Sequence, residues 1–122
     1  MTRERVRLGI SGENLACAAL RRRGYEIVAR RHRSRLGEID IIARDGRTLV
    51  FVEVKARSGS DYGSGADAVT VWKQRHILRV AEEYLASRGL SDTPCRFDVV
   101  VVQWEGEGRA TVEVIRSAFD VA

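Results

Sequence analysis

The sequence predicts an α/β fold in the order α-β-β-β-α-β-β, and three observations carry the prediction. Apolar residues recur at helical spacing in two stretches, five other stretches are rich in β-branched residues at strand length, and an Asp-Gly pair stands between two of those as a hairpin signal. The first helix is expected over 12–23, where Leu15, Ala18, Ala19 and Arg22 follow at three- and four-residue spacing; Ser11 is placed to cap it and Gly24 to end it. Residues 25–33 carry Ile27 and Val28 among arginines and read as an edge strand. Strands over 36–43 and 48–57 follow, turning at Asp45-Gly46. Glycine, serine and aspartate dominate 58–66, which reads as a loop, placed to close over a substrate, to clamp a backbone or only to connect. A second helix is expected over 67–88, with Val69, Trp72, His76, Ile77, Val80, Tyr84 and Leu85 at helical period and Gly89 at its end. Within 96–104 the run Val99-Val100-Val101-Val102 marks a strand covered on both faces, and 110–115 alternates as the last strand after a Gly-rich turn.

A chain of 122 residues with 44% hydrophobic content can bury one core without staples, and with no repeat or linker 1–122 reads as a single domain. Cys17 and Cys95, far apart and without zinc-ligand spacing, read as buried thiols of a cytoplasmic protein. No run of 18 apolar residues exists and the first residues lack a signal-peptide core, so neither a membrane span nor export is expected. The charge is polarised: the first 35 residues hold ten arginines against three acids, a local +7 in a chain of net +4. Such a surface suits a polyanion such as nucleic acid, with Arg30, Arg31, Arg33 and Arg35 as candidate phosphate contacts and Arg57 and Lys73 further along. Among 21 basic residues only Lys55 and Lys73 are lysine, so an ammonium at these positions is a specific choice. His32 reads as part of the basic surface and His76 as a helix residue, since no nucleophile is placed to use either. Trp72 and Trp104 read as core or interface aromatics rather than stacking platforms.

The chemistry concentrates in Gly37-Glu38-Ile39-Asp40-Ile41-Ile42 and Val50-Phe51-Val52-Glu53-Val54-Lys55. If the hairpin turns on Asp45-Gly46, Arg44 pairs with Arg47, Asp40 lies opposite Phe51 and Glu38 opposite Glu53. Glu38, Asp40, Glu53 and Lys55 then share one face, Asp40 and Glu53 as diagonal neighbours, while Ile39, Ile41, Val50, Val52 and Val54 take the other. A solvated face with cross-strand ion pairs would alternate in the same way, but Phe51, Ile42 and Leu49 share the charged face, and clustered acids beside apolar neighbours need a cation. Two carboxylates and the backbone carbonyl of Val54 suffice for Mg2+ or Mn2+, and the Lys55 ammonium suits an attacking water. The reaction such a set supports is phosphodiester hydrolysis.

An Asp, a hairpin and then Glu-x-Lys resembles the PD-(D/E)XK nuclease superfamily. The longer series Gly12-Glu13, Gly24-Tyr25, Arg30, Gly37-Glu38-Ile39-Asp40, Val52-Glu53-Val54-Lys55, Arg57, Lys73-Gln74-Arg75 and Arg96-Phe97-Asp98-Val99 is similar to the YraN family of predicted endonuclease-like proteins, and more distantly to archaeal Holliday-junction resolvases. The resemblance implies a restriction-endonuclease-like fold, a central mixed five-stranded sheet flanked by helices. It also implies Asp40 and Glu53 as metal ligands, Lys55 as the catalytic lysine, Glu13 as a further acid near the metal, and Gln74 and Glu38 as auxiliary groups. Ile39 stands where the superfamily's name has proline, a position that is not a ligand. The expected function is metal-dependent hydrolysis of DNA, branched or structured DNA included; the competing reading is a nucleic-acid-binding module that keeps the fold without cutting. From the resolvase likeness a homodimer is expected, through 110–115 or the exposed part of the second helix.

Overall fold

A computed structural model describes residues 3–58 and 69–119, with side chains from Ser11 onward. The elements are α1 (Arg3–Arg22), β1 (Glu26–Ser34), β2 (Gly37–Asp45), β3 (Thr48–Ser58), α2 (Val71–Ser87), β4 (Cys95–Gly106) and β5 (Arg109–Ile115). The strands form one mixed sheet in sequential order β1-β2-β3-β4-β5, with β3 and β4 parallel and every other pair antiparallel. The parallel pair at the centre requires a crossover, and α2 lies within it. Both sheet faces are therefore covered, which explains the unbroken apolar run in β4. On one face Ala16, Cys17 and Leu20 of α1 pack against Ile41, Val50, Val52, Val100 and Val102. On the other, Ile77, Val80, Ala81 and Tyr84 of α2 pack against Ile42, Leu49, Phe51, Phe97 and Val99. This is the α/β class and restriction-endonuclease-like element order expected from the sequence. Among the described residues no helix is long and apolar enough to cross a membrane.

Several boundaries differ from the expected ones. The helix α1 begins well before Ser11, which is an interior residue and not the cap; the serine read as a start signal is tolerated inside a helix when packing supplies the stability. Gly12 lies where α1 passes closest to the sheet: a Cβ there would stand 3.2 Å from the Cβ of Ala56 on β3. Thr70 caps α2, its Oγ1 accepting from the Lys73 N–H at 3.2 Å. At the other end Gly89, at φ 65°, lets the Leu90 N–H reach the Leu85 carbonyl at 2.8 Å and its own N–H the Ala86 carbonyl at 3.3 Å, the paired closure of a Schellman motif. The expected helix start at 67 and the loop 58–66, apart from Ser58, lie outside the described residues. Cys17 is buried, as expected, but Cys95 is exposed because it opens β4 at the sheet's end.

The hairpin turns one residue later than predicted. Asp45 pairs with Thr48, so the two-residue loop is Gly46-Arg47, with Gly46 at φ 61°. Glycine first in the loop is the requirement of a type II′ turn, which outcompetes the Asp-Gly placement that a type I′ turn would use. The cross-strand register moves by two residues, so the strands keep their faces. One face assignment fails. Ile39 packs in the α2 cluster with Ile42, whereas Ile41 packs in the α1 cluster, so the alternation of β2 breaks at Asp40. The neighbouring strand breaks with it. Arg31, opposite in register, adopts φ 50°; Arg30 and Arg31 both turn towards α1, while His32 meets Tyr84 of α2 edge-to-face at 5.1 Å. His32 is thus partly packed against the core rather than one more group of the basic surface.

On β4, Asp98 is wholly buried and fully engaged. It accepts from Arg96 Nε at 2.9 Å, from the Tyr25 hydroxyl at 3.2 Å and from the Ser117 N–H at 2.9 Å. Arg96 also donates to Tyr25 at 2.6 Å and to Asp45 at 3.1 Å, which ties β4 to the end of α1 and to the hairpin turn. Together these bonds compensate the desolvation of the buried charges.

Candidate metal centre

Continuing the β2–β3 register by one residue beyond Ile41↔Val52 sets Asp40 directly across from Glu53, not diagonal to it. The backbone ladder stops there. The Val54 N–H, which would have continued it, donates instead to Asp40 Oδ2 at 2.8 Å. A strand residue's N–H and C=O address the same neighbour, so the Val54 carbonyl faces the same opening between the strands. Asp40 and Glu53 thus become neighbours through a register other than the expected one, with the Val54 carbonyl on the same side of β3 as its N–H.

The pair is electrostatically costly as it stands. Burial holds the Asp40 carboxyl above its usual range, opposed by the Val54 N–H and the Lys73 charge, with Glu13 and Glu38 pushing the same way as burial. Burial and the adjacent Asp40 charge push Glu53 from 4.5 to about 7, with Lys73 and Lys55 pulling the other way. Glu53 Oε1 lies 3.7 Å from Lys73 Nζ, but Glu53 Oε2 is buried with no hydrogen-bond partner. Carboxylates crowded together with an orphaned oxygen fit a hard cation, which Asp40, Glu53 and the Val54 carbonyl would hold. Among the described residues no three His, Cys, Asp or Glu side chains converge as a metal-binding group, so the described side chains would supply two ligands. Mg2+, which usually keeps several waters, tolerates so few.

The other predicted site residues are distributed unevenly. Lys55 is exposed, two residues beyond Glu53 on the same face of β3. Lys73, named for nucleic acid, reaches the site from α2. Glu13 is only 7% exposed and close enough to Asp40 to act on its charge, but Arg30 Nε at 2.9 Å and Arg31 Nε at 3.2 Å occupy its Oε1. Its place is an internal ion-pair cluster joining α1 to β1. Arg30 also donates to Asn14 at 2.6 Å, and Arg33 pairs with Glu38 at 3.3 Å. Three of the five arginines assigned to phosphate therefore already hold acidic partners; Arg35 is exposed, and Arg57 is half-buried with an interaction of its own. Gln74 donates to the Val69 carbonyl at 3.0 Å, fastening the chain that enters α2. Of the two places that the sequence offered Trp72, core or interface, the core is excluded. The residue is 67% exposed at the start of α2, next to Lys73, with its ring 3.9 Å from that of His76. The signal was present in its position: a first-turn residue beside a cap projects past the core that the rest of the helix covers.

Comparison with known proteins matches residues 12–102 to the uncharacterised protein family UPF0102. The UPF0102 protein of Symbiobacterium thermophilum is 50% identical over 113 residues, 93% of this chain and 96% of that one. That of Syntrophotalea carbinolica is 48% identical over 121 residues, 99% and 98% of the two chains. A third, from Geobacter sulfurreducens, is 46% identical over 115 residues, 94% and 90% of the two. The family match spans both carboxylates, Lys55, all of α2 and α1 from residue 12 onward.

Proposed function

The chain belongs to UPF0102, and on the geometry of its paired carboxylates we propose that it is a metal-dependent phosphodiesterase acting on nucleic acid, DNA foremost. The observation that carries the reading is the Asp40–Glu53 pair at the break in the β2–β3 ladder, with one Glu53 oxygen buried and unpartnered. Asp40 is fixed by the Val54 N–H, so one carboxylate is preorganised before any ligand arrives. Mg2+ or Mn2+ supplies neutralisation of the phosphate charge and activation of water. Lys55, exposed on the same face as Glu53, offers a compact ammonium to hold that water or the developing charge. Lys73 balances Glu53 and is freed to meet phosphate once a cation takes over that role. That no third His, Cys, Asp or Glu side chain joins the pair among the described residues favours a second reading, a nucleic-acid-binding module without hydrolysis.

One experiment separates them. Labelled single-strand, duplex, flap and four-way-junction substrates are incubated with wild type, Asp40→Ala, Glu53→Ala, Lys55→Ala and Lys55→Arg, each with magnesium, manganese, calcium or chelator. Cleavage by wild type with magnesium or manganese, lost in all four variants, supports the enzyme; Lys55→Arg fails to rescue because a planar guanidinium cannot replace the ammonium. Binding without cleavage under every metal supports the module. Asp40→Ala and Glu53→Ala cutting as well as wild type removes the proposed site.

A further inference from the structure

Resting on the nucleic-acid reading above, we infer that Trp72 is a stacking ledge for an unpaired nucleobase next to the phosphate held at Asp40 and Glu53. The observations begin with burial. An indole 67% exposed is costly to leave in water, and Val71 beside it is 60% exposed, yet the rest of α2 packs its apolar residues inward. The ring is also held. His76, one turn on, stands 3.9 Å from it at 36°, and its Nδ1 donates to the Trp72 carbonyl at 2.8 Å, so the imidazole supports one indole face in a fixed orientation. The surroundings are cationic. From Val71 to Val80 the helix carries Lys73, Arg75 and Arg79 and no acid. An apolar protein partner would have to desolvate these charges, whereas a nucleic-acid strand supplies anions to them and a flat ring to the indole. Finally, the ledge adjoins the site: Lys73, the next residue, places its Nζ 3.7 Å from Glu53 Oε1.

In a continuous duplex every base is already stacked and paired, so occupying the ledge requires unstacking. The ledge therefore selects strands that present an unpaired base beside the cleaved linkage: single strands, flaps and junction arms. The residue sets specificity and takes no part in the bond breaking.

The test uses the full chain in calcium and in chelator, where binding is read without turnover. Wild type, Trp72→Phe and Trp72→Ala are titrated with a short oligothymidylate, the same strand with a central abasic site, and a blunt duplex, following anisotropy of the labelled strand. Quenching of tryptophan emission is followed in a Trp104→Phe background and, in case that change perturbs folding, in wild type against Trp72→Phe. The inference expects single strand to quench the Trp72 emission. It expects Trp72→Ala to weaken single-strand binding about tenfold or more, the scale of one base–aromatic stack. Trp72→Phe should retain most of the affinity, the abasic strand should bind wild type as weakly as the intact strand binds Trp72→Ala, and duplex affinity should not move. Equal single-strand affinity in wild type and Trp72→Ala, with cleavage intact, overturns the ledge and leaves the nuclease reading standing. Failure of wild type to bind any strand overturns both. A dimer in wild type that becomes a monomer in Trp72→Ala, without quenching, assigns the surface to a second copy and overturns the ledge.

Discussion

Replacing Glu53 with glutamine should stabilise the metal-free protein at alkaline pH and flatten the dependence on pH expected of wild type. In the folded chain the carboxyl stays protonated up to about 7, held there by burial and by Asp40, whereas in the unfolded chain it ionises near 4.5. The unfolded state thus releases its proton first. Stability falls as pH rises from about 4.5 to about 7 and stays low above that, the cost being roughly 3 kcal/mol at 1.36 kcal/mol per pH unit. Asp40, also raised, acts in the same direction. Glutamine keeps the shape and cannot ionise. The lost contact with Lys73 is long and its lysine 43% exposed, so it subtracts little. At pH 8 in chelator, Glu53→Gln should therefore melt roughly 10 °C above wild type, taking about 3–4 °C per kcal/mol for a chain of this size. At pH 5 the two should nearly coincide. Circular dichroism melts at four pH values, in chelator and then in millimolar magnesium, test this; the cation should raise the wild-type melting temperature at pH 8 and leave the variant unmoved. Parallel curves for the two proteins, or a variant less stable than wild type at pH 8, would refute the reasoning that Glu53 is held uncharged for want of a cation.

Three further outcomes follow from the packing. Asp98→Ala strands Arg96 beside Tyr25 and Asp45 without its main partner, and urea denaturation should show a loss of about 3–5 kcal/mol. Gly12→Ala, which inside an ordinary helix gains about 1 kcal/mol, should instead cost about that much, because the new methyl meets the Cβ of Ala56 on a central strand at 3.2 Å; a rise in melting temperature counts against so close an approach. Arg30→Ala together with Arg31→Ala leaves Glu13 buried without its cations, and should lower stability by roughly 2–3 kcal/mol while changing the salt dependence of DNA affinity less than Arg35→Ala does.

The alternation of apolar residues made the class, the element order and the meeting of Asp40 with Glu53 legible, because a two-residue slip of register preserves sheet faces and the carboxylates tolerate it. What could not be read depends on contacts between distant elements. Nothing in the sequence near Asp40 announces that its side chain takes the Val54 N–H and interrupts the ladder, or that Arg31 accommodates the break with a left-handed backbone. That single irregularity moved Ile39 to the other face and turned Arg30 and Arg31 towards Glu13 on α1. Charge counts likewise could not show that Arg30, Arg31 and Arg33 have acidic partners, Glu13 and Glu38, within the fold. Helical periodicity likewise included Trp72 in the core, since period alone does not record where a helix outruns the sheet beneath it.

The two edges of the sheet differ in a way that bears on how copies of the chain meet at high concentration. On β1 the register shifts between Ile27 and Ala29 and the backbone turns left-handed at Arg31, so its outer row of N–H and C=O groups is not a straight template, and arginines flank it. Another strand cannot hydrogen-bond along it without giving up several bonds. β5 has no such interruption: from Ala110 to Ile115 its pairing with β4 is regular, and Arg109, Thr111 and Glu113 are its exposed side chains. Self-addition is therefore directed to one edge, and like edges joined about a two-fold axis close after two copies instead of growing into filaments. A preparation that aggregates would be improved by a lysine at Thr111, and the same change at β1 would do nothing.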